Sequence, residues 1–223
     1  MGNNYVVKIL VGILLFGSIW GFAEATLGAI LHLLHSPHKG VIMASFGVMV
    51  LSCAVATLKP RNVLPFALAI GFIASLVKGI DLLLLPLDSH VLRVMVVIPI
   101  EAFAFGGLVK VFSHAFHQNR IFRPFIGAIS VYAGFFMLSA VYVYAGIGSN
   151  FWIGKGLKDI LSFTLSNGTM AGIITLLTTD IGFRIGEFVK PFIDRVFEVN
   201  RNRFWIAILS FTMLLWVARV ISL

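Results

Sequence analysis

Apolar residues run along this chain in long unbroken blocks. They fill the stretches from Ile9 to Leu34, Val41 to Leu58, Val63 to Leu85, Val91 to Phe112, Pro124 to Gly146, Ile160 to Phe183 and Phe204 to Ser222. Blocks of about 18 to 26 residues suit helices that cross a bilayer, each needing about 20, whereas barrel strands would be about 10 residues of alternating character. Hydrocarbon offers backbone amides no water, so each must be satisfied within the chain. The interruptions use helix-breaking residues: Ser36-Pro37, Lys59-Pro60-Arg61-Asn62, Pro86 and Gln118-Asn119-Arg120. The pattern predicts an all-α polytopic transmembrane bundle of six to seven spans in one domain. Its parts are a six-helix core over about 5–185, an amphipathic connector over 184–203 and a C-terminal helix over 204–222. In the connector, Phe188, Phe192, Ile193 and Phe197 mix with charges of both signs, as in a helix lying at the interface. A plain extension of the sixth helix fits the same residues.

Composition sharpens this picture. Of 223 residues, 59% are hydrophobic and 12% charged, half the charge of an ordinary soluble domain. That excludes a soluble enzyme, a disulfide scaffold and a disordered regulator. The single Cys53 excludes an internal disulfide and a multi-cysteine metal cluster. A formal charge of +8 would suggest nucleic acid in a soluble protein. Here the cations sit mostly between apolar blocks, where a basic excess marks cytoplasmic loops, and no nucleic-acid partner is expected.

With the N-terminus cytoplasmic, the inner segments hold Lys8, Lys59, Arg61, Lys110, Arg120, Arg123, Arg184, Lys190, Arg195, Arg201 and Arg203. The outer segments hold only Lys39, Arg93, Lys155, Lys158 and Arg219. The expectation is a multi-pass protein of the inner or plasma membrane, N-terminus inside, with membrane lipid around it. Lys8, an apolar run and Ala23-Glu24-Ala25 imitate a cleavable secretory signal. Apolar character continues to Leu34 without a polar mature start, which favours an uncleaved first helix. Gly2 is followed by Val6 where myristoylation wants Ser or Thr.

Gly17, Gly21, Ala25 and Ala29 recur every fourth residue and form one ridge with almost no side chain. Small residues let helices approach closely in lipid, either within the bundle or against another membrane subunit. A second ridge carries Trp20, Glu24, Gly28 and His32 in another direction.

An ionisable group inside a span costs roughly 2.5 to 3.5 kcal/mol and needs a partner, a wet cavity or a function. The candidates are Glu24, Lys78, Asp81, Arg93 and Glu101. At about 1.5 Å per residue, Glu24 and Lys78 both lie about 22 Å from the cytoplasmic end, and Glu101 about 15 Å below the outer one. This shared level across three helices suggests either a structural ion network or a polar pocket opening outward. The outer loops and the start of helix 6 would add Trp152, Lys155 and Asn167 to such a pocket, a mixture suited to a small polar ligand. His32, His35 and His38 can be drawn as a metal site with Glu24, although histidines near a membrane exit also serve as interfacial residues. There is no H-E-x-x-H, G-x-S-x-G, P-loop or dinucleotide fingerprint. No cofactor and no enzymatic activity are expected, and any transport must draw energy from an ion gradient or a separate ATPase.

The compact bundle, the small-residue ridge, the stretch WGFAEATLGAILHLLHSPHKG from Trp20 to Gly40 and the outward polar pocket together resemble the substrate-binding S component of energy-coupling factor transporters. The resemblance spans roughly residues 5–185. It implies docking of Gly17, Gly21, Ala25 and Ala29 on a transmembrane T component, ATPase subunits beyond it, and capture of a vitamin-like molecule or metal ion from outside. Two features depart from the family: glycines replace alanines in the ridge, and a seventh apolar block follows a six-helix core. A membrane-embedded enzyme or accessory subunit acting on a lipid or isoprenoid, through Glu24, Glu101 and Lys78, is the alternative.

Overall fold

A computed structural model describes residues 2–83, 89–144, 154–199, 206 and 210–217. Its helices are α1 (Gly2–Leu33), α2 (Lys39–Leu58), α3 (Val63–Gly79), α4 (Ser89–Val111), α5 (Ser113–Gln118), α6 (Phe122–Tyr144) and α7 (Leu157–Val199), with a 3-10 turn at Ile80–Leu83 closing α3. No strand occurs among the described residues. Helices α1 to α4, α6 and α7 are long and apolar enough to cross a membrane. The chain is an all-α, multi-pass helical bundle. Of the seventh apolar block, residues 206 and 210–217 are helical and the rest lies outside the described residues. That stretch rests on α1, where Trp216 Nε1 donates to Ser18 Oγ at 3.3 Å.

Helix α2 is the axis of the bundle and touches α1, α3, α4, α6 and α7. It can be buried on nearly every side because no charge stands between Val41 and Leu58. Its tightest seam is with α7, where Gly182 and Gly186 lie directly on α2 backbone. A Cβ at either would collide with the Met49 or Cys53 carbonyl oxygen. That approach lets Thr57 Oγ1 donate to the Gly186 carbonyl at 3.2 Å and Thr178 Oγ1 to the Ser45 carbonyl at 3.1 Å. Lipid supplies no hydrophobic drive between helices, so close contact and such bonds do the holding.

Helices α3 and α4 are joined by a different device. Pro99 inside α4 has no N–H to give the Met95 carbonyl one turn earlier. Ser75 Oγ of α3 donates to that carbonyl at 2.8 Å, replacing the missing bond where no water is available.

The expected boundary near residue 184 is not there. Helix α7 runs for 43 residues, about 65 Å at the usual rise and twice a hydrocarbon core of about 30 Å. Residues 184–199 are therefore its extension, not a separate connector. The i,i+4 pairs Arg184–Asp180 and Lys190–Asp194 favour continuation of the helix, and Asp194 also pairs with Lys8 of α1.

At this same end Arg123 ties α5 into the bundle. The last carbonyls of a helix have no partner within it. Arg123 supplies partners, donating from Nε to Phe116 O at 2.8 Å and from Nη2 to His117 O at 3.3 Å. Its Nη1 reaches Asp180 Oδ1 at 3.1 Å, and its guanidinium lies 3.3 Å from the centroid of the Phe183 ring. Burial of His117, aided by the positive charges of Lys59 and Arg123 and opposed by Glu187, holds its imidazole below the ordinary value.

Two outcomes follow from this packing. Gly186→Val should lower the thermal midpoint of the detergent-extracted protein sharply, whereas Gly107→Ala, with nothing within 4 Å of its Cβ position, should leave it unchanged or slightly higher. A base whose folded pKa is depressed contributes stability above its unfolded value, about 6.5 for histidine, and loses it as pH falls through that value. Thermal melts from about pH 7.5 to about 5.5 should therefore show a falling midpoint, with a smaller fall in His117→Gln.

Candidate functional site

The opposite end of the bundle holds a second set of ionisable groups. Helix α1 brings Glu24, the end of α3 brings Lys78 and Asp81, and α4 brings Glu101. Glu24, Lys78 and Asp81 are 6%, 7% and 2% exposed, and Glu101 is part-buried. Lys78 Nζ donates to Asp81 Oδ2 at 2.8 Å and to the Glu24 backbone carbonyl at 3.3 Å. The local fold explains the first contact. After Gly79 the chain tightens into the 3-10 turn, in which residues three apart eclipse.

The second contact depends on the small-residue ridge. A Cβ at Gly21 would fall 2.6 Å from the Ala74 carbonyl oxygen, and one at Gly17 would fall 2.6 Å from Ile73 Cβ. Ala25 is fully buried and Ala29 part-buried. At Gly17 and Gly21 the ridge faces α3 of the same chain, as its intramolecular packing alternative has it. Any bulk added there would push α1 away and withdraw Lys78 from the Glu24 carbonyl.

The two glutamate carboxylates have a different standing from the Lys78–Asp81 pair. That of Glu24 extends along α1 toward Gly28, whose Cβ position lies 3.6 Å from Glu24 Oε2. The charge of Lys78 acts on it, yet no ion pair within 4.0 Å forms to it among the described residues. The fully buried indole of Trp20 lies beside this carboxylate, but its N–H meets no acceptor at full hydrogen-bond geometry. Glu101 packs against Gly134 of α6, whose Cβ position is 3.7 Å from Glu101 Cγ. It lies within range of the Glu24 charge. Among the described residues no donor or cation pairs with it. Tyr142 of α6, 8% exposed, is touched by the fields of Glu101 and Arg93.

The site thus gathers Glu24, Lys78, Asp81 and Glu101, with Arg93 at its edge. Other candidates stand apart. Lys155 pairs with Asp159 at 3.5 Å at the start of α7. Asn167 Nδ2 donates to the Phe163 carbonyl of its own helix at 3.1 Å, which turns that donor away from a ligand. Trp152 and the side chain of His32 lie outside the described residues. His35 and His38 are exposed in the turn between α1 and α2. No group of three metal-binding side chains occurs among the described residues. Tyr142 was not anticipated; its signal was a phenol inside an apolar block. Comparison with protein-family models, curated proteins and solved structures returned no match.

Chemically, Lys78 has its charge balanced by Asp81 and gives a second N–H to a carbonyl, two of its three donors, whereas Glu24 and Glu101 retain acceptor capacity. Removing one member of a buried pair strands the other and costs roughly 3–5 kcal/mol. Lys78→Met should show a loss of about that size in denaturant unfolding in micelles. The double variant Lys78→Met/Asp81→Leu should recover most of it.

Proposed function

We propose that this membrane protein is the ligand-recognising subunit of an uptake system. It takes a small water-soluble molecule from the outer side into the cluster of Glu24, Lys78, Asp81 and Glu101 and, in the manner of an S component, relies on a separate ATP-driven partner for release inward. The observation that carries this reading is the joining of Lys78 to Asp81 and to the Glu24 backbone, with Glu101 within range of the Glu24 charge. Each of these groups costs roughly 2.5 to 3.5 kcal/mol to insert, more than a purely structural tie between helices requires, since glycine contacts and backbone-directed hydroxyls already join them. The excess of Lys and Arg at the end bearing Lys8, Lys59 and Arg123 supports a cytoplasmic position for that end, which turns the carboxylate cluster outward. With Gly17, Gly21 and Ala25 consumed inside the fold, the surface that meets a partner lies on other lipid-facing residues.

Native mass spectrometry of the gently extracted protein tests the reading. A small molecule should co-purify, and its occupancy should fall at least tenfold in Glu101→Gln, a change of about 1.4 kcal/mol. Bare protein after expression in rich medium, with unchanged spectra in the variant, would defeat it.

A further inference from the structure

The far end of α7 carries an arrangement that the uptake reading does not use. Arg184, Phe188, Phe192 and Arg195 recur at helical spacing and form one ridge. All four are exposed, Phe188 at 85% and Phe192 at 67%. The ridge continues the exposed apolar stripe of Leu177 and Ile181 on the same helix. Packing fixes how deep it lies. Helix α7 runs alongside α2, with Gly182 against Met49 and Gly186 against Cys53. The same offset sets Leu58, the last residue of α2, level with Pro191. Lys59 follows at once, and Lys8, just before the apolar block of α1, pairs with Asp194. Phe188 and Phe192 therefore stand where α1, α2 and α7 all leave the apolar layer, at the boundary between acyl chains and headgroups.

We propose that this ridge binds anionic phospholipid, with the two phenyl rings among the acyl chains and the flanking cations on the headgroup phosphates. Charge balance argues for the anionic class. Asp180 takes both Arg123 and Arg184, and Asp194 takes both Lys8 and Lys190. One carboxylate offsets one of its two cations, so each of these nodes keeps a positive charge. Arg195 has no carboxylate within 4.0 Å among the described residues. The acids between Arg184 and Arg195 are Glu187 and Asp194 alone.

Anionic headgroups attract cations held at this level, and a long basic side chain can lay its stem along the chains while its head reaches the phosphate. A zwitterionic headgroup brings its own ammonium with its phosphate, so it leaves both nodes uncompensated. A soluble protein partner would need the rings clear of lipid. Their depth, and their continuity with the stripe above, turn them to acyl chains instead. This face is separate from the cluster of Glu24, Lys78, Asp81 and Glu101 at the other end, and neither depends on the other.

The test uses the full chain, stripped of lipid in detergent at neutral pH and mixed with equal amounts of dioleoyl phosphatidylglycerol and dioleoyl phosphatidylcholine. Native mass spectrometry should show phosphatidylglycerol retained roughly tenfold over phosphatidylcholine, a preference that shrinks as salt is raised. Arg184→Gln/Lys190→Gln leaves each acid one cation and should cut the preference severalfold, while an unchanged thermal midpoint shows that the variant is folded. Lys110→Gln/Arg61→Gln removes the same charge elsewhere at this end and should keep the preference. Phe188→Ser/Phe192→Ser should weaken retention of both lipids. Equal retention of the two lipids by the parent chain would overturn the proposal. An equal loss of preference in both charge variants would make it a matter of net charge, and would overturn the assignment to α7. Stabilisation by sn-glycerol 3-phosphate as large as that by phosphatidylglycerol would give the cations to a free phosphate and overturn the lipid proposal too.

Discussion

Charge inside hydrocarbon has to be neutralised, and the upper half of this bundle is organised by that demand. The cost of an ionised carboxylate in a low-dielectric interior exceeds what any single packing contact returns. Asp81 meets the demand through Lys78, three residues away on the same chain segment. Glu24 and Glu101 do not, and they come from helices that share few direct contacts. They are held near each other by α3, which packs on both α1 and α4.

That arrangement requires backbones to come very close. Gly17 and Gly21 seat α1 on α3, Gly71 and Gly106 seat α3 on α4, and Gly182 and Gly186 seat α7 on α2. At each seam a polar group from one helix reaches a carbonyl of the next: Lys78 to Glu24, Ser75 to Met95 and Thr57 to Gly186. The glycines and the hydrogen bonds are one mechanism, because a side chain can reach the neighbouring backbone only where no Cβ holds the helices apart. Pro99 extends the same logic by freeing a carbonyl for a foreign donor.

Much of this was legible in the chain itself. Six apolar blocks became six spans, because block length against bilayer thickness is a strong constraint and the breakers between them are chemically plain. The contact of Lys78 with Glu24 was legible as a coincidence of depth, since rise per residue is nearly constant in a helix. Direction was not legible. Periodicity groups Gly17, Gly21, Ala25 and Ala29 on one face without saying which neighbour that face meets, and at Gly17 and Gly21 the neighbour is α3. The spacing of Gly182 and Gly186 is the same four residues, yet it sits in a block whose polar flank drew attention to the interface instead. The continuity of α7 through residue 184 was hidden for a related reason: charges at i,i+4 that stabilise a helix also resemble a surface connector. Short α5 escaped notice because its anchor, Arg123, acts on it from the following helix.

The separation of tasks within the cluster keeps the tie between helices independent of the Glu24 and Glu101 carboxylates. Lys78 bonds the α1 backbone rather than the Glu24 carboxylate, so the tie between α1 and α3 does not depend on the ionisation or occupancy of that carboxylate. Asp81 balances Lys78 within one segment, so the pair is neutral before any ligand arrives. Had Lys78 paired with the Glu24 carboxylate instead, the tie between α1 and α3 would have changed with the protonation of that carboxylate. As built, the helices are joined through backbone and glycine contacts, and among the described residues no ion pair of Glu24 or Glu101 takes part in that joining.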